Sequence, residues 1–211
     1  MNDTPMTQSF SFSPEEVECF ADTTFFRTKA RITITVRQSL EALHTRIQSA
    51  LVGTDLIVPQ RFNSEAVQFV KGEHLEDFPY QYLDFPRHYT REEKFAFRTL
   101  FWWGHHVVFA FILEGPNIRR YKENLINHYA DICDHHLCLC LSSSLWEWNH
   151  GAGYTMDLTR DRKSQAAAVL ANRSYMKVAR FIPMKDPRIQ SGLVAEIGEE
   201  TFRTMLPIIR P

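Results

Sequence analysis

Residues 79–113 read PYQYLDFPRHYTREEKFAFRTLFWWGHHVVFAFIL, the most aromatic stretch of the sequence. Within it, two apolar runs, Phe95–Trp103 and His106–Leu113, flank Gly104 and His105. Runs of this length and composition are typical of buried strands. Glycine at the first central position is the signature of a two-residue turn, so the stretch predicts a β-hairpin around which the fold is built.

A two-residue turn at Gly104 also predicts how the two strands pair. Leu100 would lie opposite Phe109, and Arg98 opposite Phe111. Because side chains alternate along a strand, Arg98 would share a face with Leu100, Phe109 and Phe111. Both faces of the hairpin are mostly apolar, which indicates central strands that are covered on both sides.

Composition is that of a globular protein with balanced charge. The chain has 211 residues, with 24 Lys plus Arg against 25 Asp plus Glu, so bulk electrostatics favour neither nucleic acid nor a membrane surface as partner. A chain of this length is compatible with one domain, and we expect residues 1–211 to form one.

Targeting and redox signals point to the cytoplasm. The N-terminus lacks the basic and apolar regions of a signal peptide, and no run of about 18 apolar residues predicts a membrane span. The four cysteines are Cys19, Cys133, Cys138 and Cys140. Their crowding is poor for a disulfide framework and favours a reducing compartment.

The remaining elements predict an α+β fold, with an antiparallel sheet of five or six strands. Ser13 can cap a short first helix, and Asp22 a long amphipathic one that ends at Gly53. Its apolar stripe would pack on the aromatic sheet, with further helices around it. Further predicted strands are 66–71, 80–85, 137–148 and 175–182, and further predicted helices are 118–133, 161–171 and one from Asp186.

Two segments of the hairpin region, PYQYLDFPR (79–87) and FAFRTLFWWG (95–104), resemble a pattern in a family of uncharacterised bacterial proteins. The resemblance covers the middle third of the chain. It implies a recurring bacterial domain, and it implies no activity, cofactor or catalytic residue.

The densest group of potential metal ligands is Cys133, His135, His136, Cys138 and Cys140. Thiolate and imidazole suit zinc, but the spacing is not that of a zinc finger or ribbon. Alternating leucines from Leu137 predict a strand instead, with buried, reduced cysteines. We therefore expect a metal-free segment and no cofactor, with a zinc site as the less favoured alternative.

The glycine-rich segment around Gly151 and Gly153 has two interpretations, an anion-binding loop or a plain loop. Residues 149–153 could cradle an anion with backbone N–H groups. A phosphate loop should run directly into a helix, however, and residues 154–158 intervene. A plain loop is the favoured interpretation, and the common hydrolase, metalloprotease and nucleotide-binding motifs are absent from the sequence.

Aromatic residues and histidines gather at the predicted strand ends. If these ends meet, they form an aromatic cleft with imidazoles at its rim, the composition of a ligand pocket. Ordinary aromatic packing is the competing interpretation. The residues concerned are Trp102, Trp103, His105, His106, Trp146, Trp148 and His150.

Arg98 stands within an apolar run, where an unpaired charge would cost several kcal/mol, roughly. Asp84, on the neighbouring predicted strand, is the nearest candidate acceptor for a bidentate pair. Such a pair could be purely structural, or Arg98 could stay partly free to hold a carboxylate or phosphate of a ligand.

Two function classes follow. The first is a binder of a small, anionic molecule in the aromatic cleft, with catalysis left open. The second is a structural or interaction module, such as a homodimer, without a catalytic site. A deep pocket favours the first class, and a flat exposed apolar patch favours the second.

Overall fold

The computed structural model describes residues 11–211. Two compact units divide this range, one ending at Thr35 and the other comprising Val36–Pro211. A single domain over residues 1–211 therefore stays a prediction. Residues 1–10, which carry most of the expectation of no signal peptide, lie outside the described range. No helix within residues 11–211 combines the length and the apolar character needed to cross a bilayer.

Seven α-helices and seven strands form within the described residues. The helices are α1 (Pro14–Ala21), α2 (Thr23–Leu51), α3 (Ile118–Asn127), α4 (Tyr129–Ile132), α5 (Lys163–Ala171), α6 (Pro187–Gln190) and α7 (Val194–Met205). The strands are β1 (Gln68–Leu75), β2 (Phe78–Tyr89), β3 (Lys94–Trp102), β4 (His106–Glu114), β5 (Cys138–Cys140), β6 (Thr155–Asp157) and β7 (Tyr175–Pro183).

All seven strands belong to one antiparallel sheet in the order β1-β2-β3-β4-β7-β5-β6. The predicted α+β class is confirmed, with more strands than the five or six expected. The hairpin β3–β4 lies at the centre of the sheet, as its apolar faces indicate.

The first two helices begin as predicted. Ser13 caps α1 in a reciprocal capping box with Glu16, and the Asp22 carboxylate accepts a hydrogen bond of 2.8 Å from the backbone N–H of Phe25 at the start of α2. The apolar stripe of α2 is buried only from Val36 onwards, at Val36, Leu40, Leu43 and Ile47.

The two faces of the sheet are covered differently. On the first face, aromatic residues of β3 and β4 pack with α2, α3, α4, α5 and α7 in the main apolar core. On the second face, a smaller cluster forms around Leu100, Trp102 and Ala110. The segment 141–154, through Leu145 and Trp148, contributes to this second cluster.

The predicted hairpin register is wrong by one residue. Arg98 lies opposite Ala110, and Phe97 lies opposite Phe111. The reason is a longer turn, in which Gly104 has a φ of 77° and the N–H of His105 donates to the carbonyl of Trp102. A one-residue slip exchanges the faces of one strand relative to the other, so Arg98 shares its face with Leu100 and Ala110.

The first two strands are longer than predicted. β1 continues past Gly72, where a Cβ would lie 2.4 Å from the ring of Tyr80, so glycine here makes room for an aromatic side chain. β2 continues past Pro86 because a bulge between Asp84 and Arg87 removes this residue from the ladder. Proline is tolerated in strands at such bulges.

The predicted long strand 137–148 is wrong beyond Cys140, where the chain leaves the sheet in an irregular loop, residues 141–154. The hydroxyl of Ser142 accepts from the N–H of Ser144, and that of Ser144 from the N–H of Trp146. Such local bonds compete with a strand ladder. The alternating pattern therefore describes three strand residues followed by serine-stabilised turns.

Two predicted helices are interrupted, and a third starts later than predicted. The helix predicted over residues 118–133 divides at His128 into α3 and α4. Residue Asp161 lies in a 3₁₀ turn ahead of α5 and does not cap it. Asp186 caps α6 as predicted, but the helix predicted from there is interrupted at Gly192, where φ is 77°, before α7 begins.

Candidate functional site

One row of cross-strand partners on the second face spans the whole sheet. At its centre Ala110 and Ala179 lie opposite each other, and polar residues lie on both sides of this pair. Adjacent strands are about 4.8 Å apart, so Arg98 and Cys138 are separated by three spacings, about 14 Å. In sheet order the row is Gln68, Asp84, Arg98, Ala110, Ala179, Cys138 and Asp157.

Arg98 and Asp84 form the predicted bidentate pair. The Nε and Nη2 groups of Arg98 donate to the two carboxylate oxygens at 2.7 and 2.6 Å. Asp84 is 0% exposed and Arg98 is 8% exposed. Burial opposes the charged guanidinium, but the hydrogen bonds and the charge of Asp84 outweigh it and raise the pKa of Arg98. Arg98 therefore carries its charge inside the protein.

Aromatic rings surround this guanidinium. Its carbon lies 3.8 Å from the ring centre of Tyr82, 5.3 Å from that of Trp146 and 5.7 Å from that of Trp148. Burial, together with the charge of Asp84, raises the pKa of the Tyr89 hydroxyl beside it. We call Tyr82, Asp84, Tyr89, Arg98, Trp146, Trp148 and Lys177 the Arg98 cluster.

Lys177 is the second buried cation of this cluster. Its side chain is 1% exposed, and its ammonium group lies 4.1 Å from the ring centre of Trp148. It donates to the carbonyl oxygen of Leu145 at 2.8 Å and to that of Glu147. Burial lowers the pKa of Lys177. Lys177 therefore holds the middle of loop 141–154 against the sheet.

Arg173 anchors the beginning of the same loop. Its guanidinium donates to the carbonyl oxygens of Cys140 and Ser142, each at 3.0 Å, and to that of Leu141. Two cations, Arg173 and Lys177, thus bind loop carbonyls that a strand would have used in its ladder. Trp146 and Trp148 reach Arg98 because the loop folds back in this way.

Positive charge is in excess in the Arg98 cluster. Its buried charged groups are Arg98 and Lys177 against Asp84 alone. Half-buried Arg87 and Glu147 lie nearby with opposite charges. The Asp84 pair uses only the Nε and Nη2 groups of Arg98, so the Nη1 group is left over from this pair. The cluster thus has both the charge and a donor for an anion.

A second group of reactive side chains lies further along the row. Cys138 is directly opposite Asp157, and loop residue His150 reaches the same place. One ligand atom from each of these three residues lies within 4.8 Å of the others. They line a cleft of about 400 Å³ together with His136 and Phe181. We call this opening the Cys138 cleft.

The groups of the Cys138 cleft differ in their exposure. Cys138 is buried, and its thiol donates to the carbonyl of Ala179 at 3.3 Å. Burial, with smaller contributions from the charges of Cys140 and Asp157, raises the pKa of Cys138. His150 and Asp157 are exposed. An ionisable, buried thiol thus faces two solvent-accessible groups that can bind cations.

His106 lies beside this cleft. Its ring centre is 5.8 Å from that of His150 and 5.8 Å from that of Phe181. Burial lowers the pKa of His106, and the charges of His150 and His105 act in the same direction. The imidazole of His106 is therefore biased towards its neutral form.

The structure distributes the predicted site residues over three places. Arg98, Asp84, Trp146 and Trp148 meet in the Arg98 cluster, and His106 meets His150 beside the Cys138 cleft. The remaining predicted site residues, Trp102, Trp103 and His105, lie at the β3–β4 turn. There the rings of Trp102 and His105 stack at 3.8 Å, the indole N–H of Trp102 donates to the carbonyl of Leu75, and Trp103 is half-buried. The segments 102–106 and 146–150 do meet, through the two histidines.

Three residues of the Arg98 cluster were not anticipated. Lys177 is a charged residue within the apolar run of β7. The same pattern indicated Arg98, so the sequence could also have indicated Lys177. Tyr82 and Tyr89 carry no such signal. The Cys138–Asp157 pairing could not be seen either, because it depends on the return of the chain after a fourteen-residue loop, 141–154.

The predicted metal-free cysteine strand is only partly a strand. Cys133 ends α4, and residues 134–137 form a turn before β5. All four cysteines are free thiols in the structure, and the reducing compartment stays a prediction. In the fold, Cys138 lies beside His150 and Asp157, two potential metal ligands outside this segment.

Backbone groups of residues 149–153 form hydrogen bonds with neighbouring residues of the same segment of chain. The N–H of Gly151 donates to the hydroxyl of Thr155, and the carbonyl of Gly151 accepts from the N–H groups of Tyr154 and Thr155. These bonds favour the plain-loop interpretation over an anion-binding cradle.

Comparison with known proteins finds no relative: no family model, curated protein or solved structure matches this chain. The resemblance to a bacterial protein family therefore remains a prediction.

Proposed function

We propose that the protein binds a small organic anion, a carboxylate or phosphate on an apolar or aromatic body, at the Arg98 cluster. The observation that carries this proposal is the buried guanidinium of Arg98, which lies beside aromatic rings and whose Nη1 group is not used by the Asp84 pair. Arginine binds both anion types with directed hydrogen bonds. The excess positive charge makes an anion the fitting occupant.

Asp84 orients Arg98 for this role. A bidentate carboxylate fixes the plane of the guanidinium, so its remaining edge is held in place before a ligand arrives. Trp146, which is 47% exposed, forms the wall nearest to solvent. Its loop is held through Arg173 and Lys177, and a small outward movement of Trp146 would admit a ligand to Arg98. The proposed role of this cluster is ligand binding, without catalysis.

Titration with small aromatic anions tests the proposal. Benzoate and phenyl phosphate should quench tryptophan fluorescence and raise the melting temperature, with a Kd of about 1 mM, or about −4 kcal/mol. Benzamide has the same ring without the charge and should do neither. The Trp146→Ala variant should lose the response, and Trp103→Ala, which alters a half-buried tryptophan at the β3–β4 turn, should keep it.

Two results would contradict anion binding at this place. One is an equal response to benzoate and benzamide, or no response to any of these probes. The other is a Trp146→Ala variant that binds benzoate as the wild type does. Native mass spectrometry of the freshly purified protein would additionally show a copurified anion.

A specific observation favours the second function class, self-association. Residues 11–35 contain no buried side chain, although they include four exposed phenylalanines. Acidic residues lie in the first part of this segment, at 15–22, and basic residues lie at 27–31. Two copies in antiparallel arrangement would place the acidic part of each opposite the basic part of the other. The phenylalanines are Phe12, Phe20, Phe25 and Phe26.

The remaining expectations stand as predictions beside these two proposals. They are a cytoplasmic location, a bacterial source and the absence of nucleic acid among the partners.

A further inference from the structure

Three different donor types converge at the Cys138 cleft. The strand register places Cys138 and Asp157 directly opposite each other. Loop 141–154 then returns His150 to the same point, where its ring packs on Phe181 at 4.7 Å. One thiol, one imidazole and one carboxylate thus lie within 4.8 Å of one another. These residues, which are 7 to 19 positions apart in the sequence, meet here only because of the fold.

We propose that Cys138, His150 and Asp157 bind a zinc-class divalent transition-metal ion. Sulfur, nitrogen and carboxylate oxygen together are donors that zinc accepts at about 2.0–2.3 Å. Calcium and magnesium prefer oxygen donors alone, so the cysteine selects against them. A thiolate and a carboxylate would also neutralise the two charges of the ion.

The surroundings suit a bound ion with an open coordination position. Cys138 is buried at the base of the cleft, whereas His150 and Asp157 are exposed, so an ion can enter from solvent. Three protein ligands leave the fourth position to water or to an oxygen of a small molecule, as in catalytic zinc sites. The cleft of about 400 Å³ provides room for such a ligand.

Metal binding would replace an existing interaction of Cys138. Its thiol now donates to the carbonyl of Ala179, and the ion would take the place of that proton. Binding should therefore release protons and weaken as the pH falls. The expectation of a metal-free segment considered only ligands adjacent in sequence, and it did not include His150 or Asp157.

Metal analysis of the untagged, full-length protein tests this site. After chelation and dialysis against zinc, the wild type should retain one equivalent. With cobalt(II) it should show a thiolate-to-metal charge-transfer band. His150→Gln and Asp157→Asn should each weaken zinc binding by about 10-fold or more, at least as much as the loss of an outer-shell partner does. Cys138→Ser should also remove the cobalt band, because that band requires a thiolate ligand. These assays do not involve the anion probes, so their outcome is independent of the proposed function.

Matched controls separate this site from general thiol or histidine binding. Cys140→Ser changes the next cysteine along the same face, and His135→Gln changes an exposed histidine outside the cleft. Both should bind zinc as the wild type does. The two exposed ligands can be replaced without opening the core, so the test does not depend on Cys138→Ser folding. Retention of no zinc by the wild type, or unchanged binding by His150→Gln and Asp157→Asn, would overturn the proposal.

Discussion

At the scale of single residues, buried charges are the most informative feature of this protein. Arg98 and Lys177 are each surrounded by apolar and aromatic groups, and each has acceptors built around it. Charged side chains are rarely buried unless they are paired. Burying these two charges costs folding free energy, so their presence on the second face of the sheet favours a functional role for that face.

Replacement of Asp84 by asparagine tests both roles of the Arg98–Asp84 pair. We expect the free energy of unfolding to fall by about 3 kcal/mol, because breaking a buried ion pair leaves an uncompensated charge. Benzoate should bind more tightly, because the loss of the competing negative charge and the release of Arg98 donors outweigh the loss of orientation by Asp84. Chemical denaturation and fluorescence titration measure the two effects.

The surface pair of Asp186 and Arg188 provides the matched control. It has the same bidentate geometry, but the Arg188 side chain is 45% exposed. Asp186→Asn should cost clearly less stability than Asp84→Asn, because surface ion pairs contribute little. If Asp84→Asn costs no more than this control, the pair at Arg98 is not the structural anchor described above.

At the scale of elements, loop 141–154 decides what the second face can do. It carries Trp146, Trp148 and His150, and so contributes to both the Arg98 cluster and the Cys138 cleft. Its carbonyls bond to Arg173 and Lys177 in place of a neighbouring strand. A loop held by two side chains can be loosened by changing one of them.

Replacement of Lys177 by methionine should release this loop. The carbonyls of Leu145 and Glu147 lose their donor, so we expect faster amide hydrogen exchange within residues 141–154 and a loss of about 1–3 kcal/mol in stability. The control is Lys185→Met, which removes an exposed lysine and should change neither. Unaltered exchange in the loop would contradict the anchoring role of Lys177.

The pH dependence of stability provides a second readout for Lys177. Burial lowers the pKa of Lys177, so the unfolded chain binds this proton more tightly than the folded protein. Raising the pH towards the ordinary lysine pKa of about 10.4 therefore favours the folded state. Wild type should gain stability relative to Lys177→Met over that range.

At the scale of the whole molecule, residues 11–35 expose apolar surface that a second copy could cover. We predict that the protein is a dimer in light scattering after size-exclusion chromatography, and that Phe20→Ser combined with Phe26→Ser yields monomers, because these changes remove apolar area from the interface. Phe78→Ser, at an exposed phenylalanine of β2, should leave the dimer intact. A wild type that is monomeric at all concentrations would refute self-association through this segment.

Sequence alone determined the class of the fold and its central pair of strands, because apolar periodicity, capping residues and turn glycines act over a few residues. It also predicted the Arg98–Asp84 pair, since a charge in an apolar strand needs an acceptor and β2 offered one. The long helix α2 followed from the same local rules, through Asp22 and Gly53.

Only the tertiary structure decided the register of β3 with β4, the path of loop 141–154 and the meeting of Cys138, His150 and Asp157. A turn one residue longer exchanges which side chains share a face, and local sequence distinguishes the two turns poorly. The loop follows Arg173 and Lys177, which come about thirty residues later in the chain. Its course therefore depends on long-range hydrogen bonds that become favourable only when the sheet has formed.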